Sequence, residues 1–519
     1  MGNLILILIL FLSRVFFLSP LPIYFDSPEY VRLIENPNLI QALTLGHEPI
    51  HPGYILPAWI LSRIFPILGV VYSAELVSSI FGTLALFVFY KIIKWLFNKT
   101  LAIKSLLVTA LLPTFFLAST NVLTDTSYIF FYLFSFYCLL RSRNRFNKWF
   151  LLGIFSLGYS IFTHTQVILW FPLFLAPVIF EKKNRFQVFK NVAAFLVLGS
   201  ILGISSLVLL LMLIGNTPIQ GFKLLFMHGA DIYGTGNIFY DLTRFVRNFG
   251  IILLRNNSTL VILAAALGSI LLYRKDKKKL LILFLWFLPA ILVTQYWHIG
   301  LFGRVALVAS FPLAVLASFA PRLLYFLVVV QLIIMFIPLA IINRNAPIQN
   351  ELVSLYSTIP QGGVLVSSNL IRPQVIFSGE KYFVNEPGQS LEFIGSEIDL
   401  ALKNNKNVYI DSQALYNPYY SYDGNHLHIL SLGKVGNSKI KPLFDKYSVE
   451  IIKETSNKRI FLYKINPASR LKTGSKSYTY EYGKNFRSGL NHERIDYLDA
   501  GMWAWVLLTN KKEPISWKL

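Results

Sequence analysis

The stretch Tyr24–Tyr54 carries Asp26, Glu29, Glu35, His47, Glu48 and His51, in a chain otherwise poor in ionisable groups. Asp26 sits in Tyr24-Phe25-Asp26-Ser27-Pro28-Glu29-Tyr30, where neighbouring aromatics can strip water from its carboxylate. Desolvation raises a carboxylate's pKa and suits it to take a proton as a general base. Glu29 and Glu35 read as ordinary solvated loop charges. Glu48 and His51 share Glu48-Pro49-Ile50-His51-Pro52-Gly53-Tyr54. Prolines on both sides of His51 predict a rigid extended piece rather than a helix. His51 could donate to a phosphate or a sugar hydroxyl, or simply sit at a membrane interface.

Asp125 is a second carboxylate, in Ser119-Thr120-Asn121-Val122-Leu123-Thr124-Asp125-Thr126-Ser127. Ionisable groups beside apolar runs line cavities, and a helix N-cap would use the same residue; both roles are compatible. Arg304 closes Gly300-Leu301-Phe302-Gly303-Arg304. Its guanidinium suits bidentate phosphate binding, and the two glycines let a ligand approach; the alternative is snorkelling to an interface. Arg244 and Arg247, three apart, share a helical face. Arg14 lies within the first apolar run, facing either a cavity or the interface. His164, in Phe162-Thr163-His164-Thr165-Gln166, marks a polar turn between two short apolar runs. No Walker loop, dinucleotide fingerprint, HExxH or CxxC occurs in the context it requires, which argues against a nucleotide-driven pump. A lone cysteine, Cys138, excludes an internal disulfide and a cysteine-based metal site.

These groups must be held by membrane helices. Only 14% of residues are charged and 55% are hydrophobic, against roughly 25% charged in soluble domains. Apolar runs long enough for spans, or nearly so, lie near 2–19, 68–90, 104–120, 126–140, 149–163, 167–180, 191–214, 251–273, 280–296, 302–320 and 322–342. This predicts about eleven transmembrane helices. The net charge of +22 reads as topological rather than as a nucleic-acid surface. Basic residues mass in alternate loops: Lys91, Lys94, Lys99 and Lys104; Arg141, Arg143, Arg145 and Lys148; Lys182, Lys183, Arg185 and Lys190; and Arg274, Lys275 and Lys277–Lys279. The positive-inside rule then places the N-terminus in the cytoplasm and Tyr24–Tyr54, Asp125, His164 and Arg304 on the outer side. Without a basic n-region or a small-x-small cleavage site, the first run reads as a retained span rather than a signal peptide.

Beyond Asn343 the pattern changes. Residues 344–466 read as a small extracytoplasmic α/β domain, with strands at 363–367, 381–384, 407–411, 449–452 and 460–464. Helices are expected at 390–403 and 439–447. Residues 467–519 are a basic, tyrosine-rich tail whose apolar island Met502–Leu508 is too short to span. The expected organisation is thus 1–343, 344–466 and 467–519.

The order of these features resembles the GT-C superfamily of integral-membrane glycosyltransferases. The likeness is to the branch of the protein O-mannosyltransferases and the aminoarabinose transferase of lipid A. It rests on Arg14, Asp26 with Tyr30, His51-Pro52 with Tyr54, the small-residue run Ala74–Gly82, Leu123-Thr124-Asp125, and Arg304 with Pro312. The match covers roughly 5–320. Ser27 and Pro28 separate Asp26 from Glu29, where the family often has an acidic pair, and His164 replaces a common lysine. The resemblance implies a polyprenyl-phosphate sugar donor, transfer to a protein, lipid or polysaccharide acceptor on the outer face of the plasma (inner) membrane, and inversion at the anomeric carbon. It implies Asp26 as base, and Arg304 with Arg244 or Arg247 on the leaving phosphate. Asp125 would orient the acceptor or hold a divalent cation; no other cofactor is implied. The rival reading is a transporter or flippase of lipid-linked glycans, which predicts repeats and broken helices near the membrane midplane.

Overall fold

The computed structural model describes residues 2–21, 27–44, 50–143, 145–226, 257–296, 303–345, 347–367, 382–385, 391–411, 421–422, 427–428, 447–454, 461–467, 477–483 and 512–518. The chain divides into two compact units, the first made chiefly of Met1–Pro20 and Glu29–Asn345, the second of Leu21–Pro28 and Ala346–Leu498.

The first unit is helical. It contains α1 (Gly2–Val15), α2 (Ser27–Glu35) from Glu29 onward, α3 (Leu39–Thr44) and α4 (Pro52–Ile64). Next come α5 (Gly69–Leu96), α6 (Lys99–Leu111), α7 (Pro113–Ala118), α8 (Asp125–Ser142) and α9 (Lys148–Thr163). A 3-10 helix, Thr165–Leu175, leads into α10 (Ala176–Phe180), α11 (Arg185–Met212) and α12 (Pro218–Phe226). The remainder is α13 (Thr259–Lys275), α14 (Lys277–Tyr296), the 3-10 helix Gly303–Ala309, α15 (Ser310–Ala317) and α16 (Arg322–Asn345).

Each predicted apolar run holds helix. Among the described residues three helices, Pro66–Leu96, Arg185–Met212 and Arg322–Asn345, are long and apolar enough to cross a membrane on length and composition. The outward surface of the helices is oily: Ile5, Leu8, Ile9 and Leu12 of α1, and Val197, Leu198, Ile201 and Leu209 of α11, are exposed. Polar residues turn inward instead. Ser135 Oγ donates to Gly153 O at 2.8 Å, Ser156 Oγ to Phe131 O at 2.8 Å and Ser160 Oγ to Tyr128 O at 2.7 Å, tying α8 to α9. In lipid, where burying apolar surface gains little, small residues and hydroxyls of this kind hold helices together.

Two expectations change here. Ser27–Glu35 and Leu39–Thr44 are helices rather than open loop, with Pro28 and Glu29 in the first turn of α2. Proline is pre-organised for a first turn, and an acid there meets the positive end of the helix dipole. Likewise His51-Pro52 is not an isolated extended piece: Pro52 is the first residue of α4, and His51 its N-cap residue.

In the second unit, α17 (Pro347–Tyr356), β1 (Val364–Ser367), β2 (Tyr382–Asn385), α18 (Leu391–Lys403), β3 (Val408–Asp411), β6 (Tyr447–Glu454) and β7 (Phe461–Pro467) build an α/β layer. The sheet order is β2-β1-β3-β7-β6. β1 runs parallel to β2 and β3, and β7 antiparallel to β3 and β6. Leu355, Tyr356, Ile359, Leu365, Tyr409 and Leu462 form its core. The buried Asp411 carboxylate accepts from Tyr356 at 2.7 Å and Ser367 at 2.5 Å, satisfying a charge at the strand ends. A short antiparallel pair, β4 (Ser421–Tyr422) with β5 (Leu427–His428), and another, β8 (Ser477–Gly483) with β9 (Lys512–Lys518), are separate sheets. Met502–Leu508 and most of 439–447 lie outside the described residues.

Candidate active site

Three expected residues meet at one end of the helical unit: Tyr30 from α2, His51 at the start of α4 and His164 at the end of α9. The His51 and His164 rings are 4.7 Å apart, and Tyr30 meets His51 edge-on at 5.7 Å. Tyr30 also contacts Tyr54 at 5.9 Å, and Tyr128 of α8 contacts His164 at 5.3 Å. His51 is 6% exposed and Tyr30 only 2%. No two of these four elements adjoin directly in sequence at this point, so the cluster is made by packing.

Glycine allows the approach. A Cβ on Gly53 would stand 2.2 Å from Thr163 Oγ1, so only glycine lets the first turn of α4 reach the last turn of α9. Tyr159 O–H of α9 donates to Gly53 O at 3.1 Å across the same contact. His51 Nδ1 lies 2.9 Å from Thr163 O, one of the last carbonyls of α9, which a helix leaves without an internal partner. A carbonyl can only accept, so Nδ1 carries the hydrogen. Neutral His51 therefore keeps Nε2 as an acceptor. His164 has the opposite polarity: its Nδ1 accepts from Gln166 N–H at 3.4 Å, so the neutral ring carries its hydrogen on Nε2. The paired imidazoles are thus of opposite polarity, His51 donating through Nδ1 and His164 accepting there.

The cluster leads to Asp125 through hydroxyls. Tyr54 O–H donates to Ala74 O at 3.0 Å and lies 3.2 Å from Ser78 Oγ. Ser78 Oγ lies 3.1 Å from Leu123 O, and Thr126 Oγ1 donates to Ser78 O at 2.9 Å. Gly82, one turn on, would clash with Ser119 if it carried a Cβ, which would stand 2.5 Å from the serine's own. The turn 119–124 is therefore clasped to α5. Asp125 is the first residue of α8, with Thr124 as N-cap, so its carboxylate sits in the first turn where the helix dipole favours a negative charge. It is 4% exposed.

Arg14 is 2% exposed, and its Nη2 donates to Ala110 O at 2.7 Å and Nη1 to Ser13 Oγ at 2.8 Å. Ala110 is in the last turn of α6, just before Pro113 breaks the helix, so the guanidinium fills a helix end. Arg304 lies at the start of the 3-10 helix Gly303–Ala309, and its side chain is outside the described residues. Asp26, Glu48, Arg244 and Arg247 also lie outside them.

Sequence reasoning passed over Glu75 as a site residue. Its side chain is fully buried on the face of α5 that bears Ser78, Ser79 and Gly82, and neither carboxylate oxygen has a hydrogen-bond partner among the described residues. A buried charge without a partner is costly, so its position beside the polar cluster is informative. The available signal was the Glu75/Ser78/Ser79/Gly82 spacing, which places all four on one helical face. Among the described residues no three His, Cys, Asp or Glu side chains gather to hold a metal ion.

Residues 50–210 match the dolichyl-phosphate-mannose-protein mannosyltransferase family. That span includes His51, Glu75, Asp125 and His164. The crystal structure of ArnT from Cupriavidus metallidurans bound to undecaprenyl phosphate superposes with a TM-score of 0.55, covering 91% of this chain and 98% of that one at 11% identity. The chain shares the fold of that protein. Apo ArnT from the same organism gives a TM-score of 0.50 over 89% and 97% of the two chains at 10% identity. The Archaeoglobus fulgidus oligosaccharyltransferase is more distant, at 0.49 with 13% identity over 86% and 71%. By sequence, no curated protein matches. Within this helical bundle, the Tyr30–His51–His164 cluster and the Asp125 turn belong to one end.

Proposed function

We propose that this protein is a membrane glycosyltransferase that moves a sugar from a polyprenyl phosphate to an acceptor hydroxyl on the extracytoplasmic face. The observation that carries the reading is the convergence of Tyr30, His51, His164 and the Asp125 turn at one end of a GT-C bundle. Similarity to a protein crystallised with undecaprenyl phosphate supports the donor class. In this reading the N-terminus is cytoplasmic, the basic turns face the cytosol, and the α/β unit and basic tail are extracytoplasmic.

The acceptor oxygen attacks the anomeric carbon from the face opposite the lipid phosphate. Asp26 takes the hydroxyl proton as the new C–O bond forms. The bond from the anomeric carbon to the phosphate oxygen breaks, its electron pair leaves on the polyprenyl phosphate, and configuration inverts. Arg304, with Arg244 or Arg247, stabilises the charge that develops on that phosphate. Asp125 orients the acceptor, His51 Nε2 accepts from a sugar hydroxyl, and His164, Tyr30 and Glu48 complete the polar wall. Arg14 acts from behind, by fixing the end of α6.

The test is transfer of labelled sugar from polyprenyl phosphate donors by the reconstituted protein and its Asp26→Asn variant. A general base contributes about 10²–10⁴-fold, so the variant loses that much at unchanged expression. Equal transfer by the variant removes Asp26 from the mechanism.

A further inference from the structure

Glu75 stands in α5, one helical turn before Ser78 and Ser79 and on their face. Its side chain is fully buried, and neither carboxylate oxygen has a hydrogen-bond partner among the described residues. The neighbours on that face are satisfied within the protein. Ser79 Oγ donates to Ser119 O at 2.7 Å, and Ser78 Oγ lies 3.1 Å from Leu123 O. Arg14, the buried arginine of α1, turns its guanidinium to Ala110 O and Ser13 Oγ instead. Folding gains nothing from such a carboxylate, because burial strips its water and returns no bond. The same burial rules out snorkelling to an interface.

Tyr54 links Glu75 to the polar cluster. The Tyr54 hydroxyl donates to the carbonyl of Ala74, next to Glu75 in α5, at 3.0 Å, and its ring meets Tyr30 at 5.9 Å. The Glu75 and Asp125 carboxylates both act electrostatically on that hydroxyl. Thr126 Oγ1 donates to Ser78 O at 2.9 Å, which brings the first turn of α8 onto the face that bears Glu75. Glu75 therefore belongs to the same end of the bundle as Tyr30 and the Asp125 turn.

An ionised carboxylate only accepts hydrogen bonds, so whatever completes Glu75 must donate them. The phosphodiester of a lipid-linked sugar has no donor and carries a like charge, so it belongs elsewhere. Sugar hydroxyls do donate, and two adjacent ones match the two carboxylate oxygens. We propose that Glu75 is a sugar-binding residue of the transfer site, its carboxylate accepting hydrogen bonds from adjacent hydroxyls of a neutral sugar. The inference rests on the proposed function and adds a substrate contact to it. The hydroxyls belong either to the sugar on the polyprenyl donor or to a glycan acceptor. Ionisable groups kept at membrane depth at a cost in stability serve function.

The experiment compares wild type, Glu75→Gln and Glu75→Asp in nanodiscs, reading thermal unfolding and sugar transfer together. Undecaprenyl phosphate, bare or carrying a hexose, is the probe for unfolding. Glu75→Gln unfolds a few degrees above wild type. Its kcat/KM for transfer nevertheless falls roughly tenfold to a hundredfold, the worth of a hydrogen bond to a charged group. Glu75→Asp, which keeps the charge, recovers part of the loss. Where the hydroxyls are the donor's, the stabilisation that the hexose adds over bare undecaprenyl phosphate vanishes in Glu75→Gln. Where they are the acceptor's, that stabilisation persists and the loss appears in KM for the acceptor. A kcat/KM within about twofold of wild type in Glu75→Gln overturns the inference. So does a lower midpoint accompanying the loss, which makes the carboxylate structural. Wild type that transfers no sugar overturns the enzyme reading itself, a result distinct from an active wild type with an equally active variant.

Discussion

The two ends of the helical unit use ionisable residues in opposite ways. At one end, Lys94, Lys99, Arg141, Arg143, Lys182, Lys183 and Arg274 are exposed. Several basic groups lie over aromatic rings: Arg141 over Trp149 at 5.4 Å, Lys190 over Phe186 at 4.5 Å and Lys279 over Phe97 at 5.2 Å. Water solvates such charges, and no single one is needed to hold the helices. At the other end, Arg14, His51, Glu75 and Asp125 are buried; Arg14 and His51 are tied to backbone carbonyls, and Asp125 follows a hydroxyl-rich turn. The first pattern suits topology, and the second is what a site in a low-dielectric wall requires. Charge count alone would have pointed to the wrong end.

The sharpest way to break this contrast is His51→Ala. It removes the Nε2 acceptor and leaves Thr163 O without its donor. Transfer falls roughly tenfold, the worth of one well-placed hydrogen bond, measured as kcat/KM for the polyprenyl donor. Full activity would reduce His51 to a helix clamp.

Glu75→Gln tests burial from the stability side. Removing a carboxylate that has no partner among the described residues raises the unfolding midpoint by a few degrees, on the order of 1 kcal/mol. Thermal unfolding in detergent reads it. A lower midpoint would mean that the charge holds the polar end together.

The smallest effect belongs to the basic end. Lys182→Ala combined with Lys183→Ala changes unfolding by less than about 0.5 kcal/mol, as solvated surface sites do, and leaves transfer untouched. A tenfold loss of transfer there would erase the distinction between the ends.

Much of this was legible in the sequence, for identifiable reasons. Apolar runs separated by basic turns give the helical bundle, because only helices satisfy their own backbone in lipid. His51, Asp125 and His164 stood out as polar groups beside apolar runs, and Tyr30 entered only through the family resemblance. The helices α2 and α3 did not, because the charged residues of Tyr24–Tyr54 looked like loop composition. In α4 the proline beside His51 was read as a breaker, although at a first helical position it is an initiator. Glu75 was visible only as part of a small-residue run, since α5 is apolar on most faces and its sequence does not say which one meets α8. The contacts of Asn343 with Thr120 and Asn121 were invisible for a different reason: the partners lie more than 200 positions away, and no local pattern encodes such a contact.

The central claim is that the buried polar end transfers sugar rather than passing a lipid-linked glycan across the membrane. The direct measurement reconstitutes the protein in vesicles with a polyprenyl phosphate carrying a labelled sugar of known anomeric configuration, together with candidate acceptors. The account predicts label on the acceptor with the opposite configuration, and free polyprenyl phosphate in equal amount. Label that stays on the lipid while moving between leaflets would contradict it.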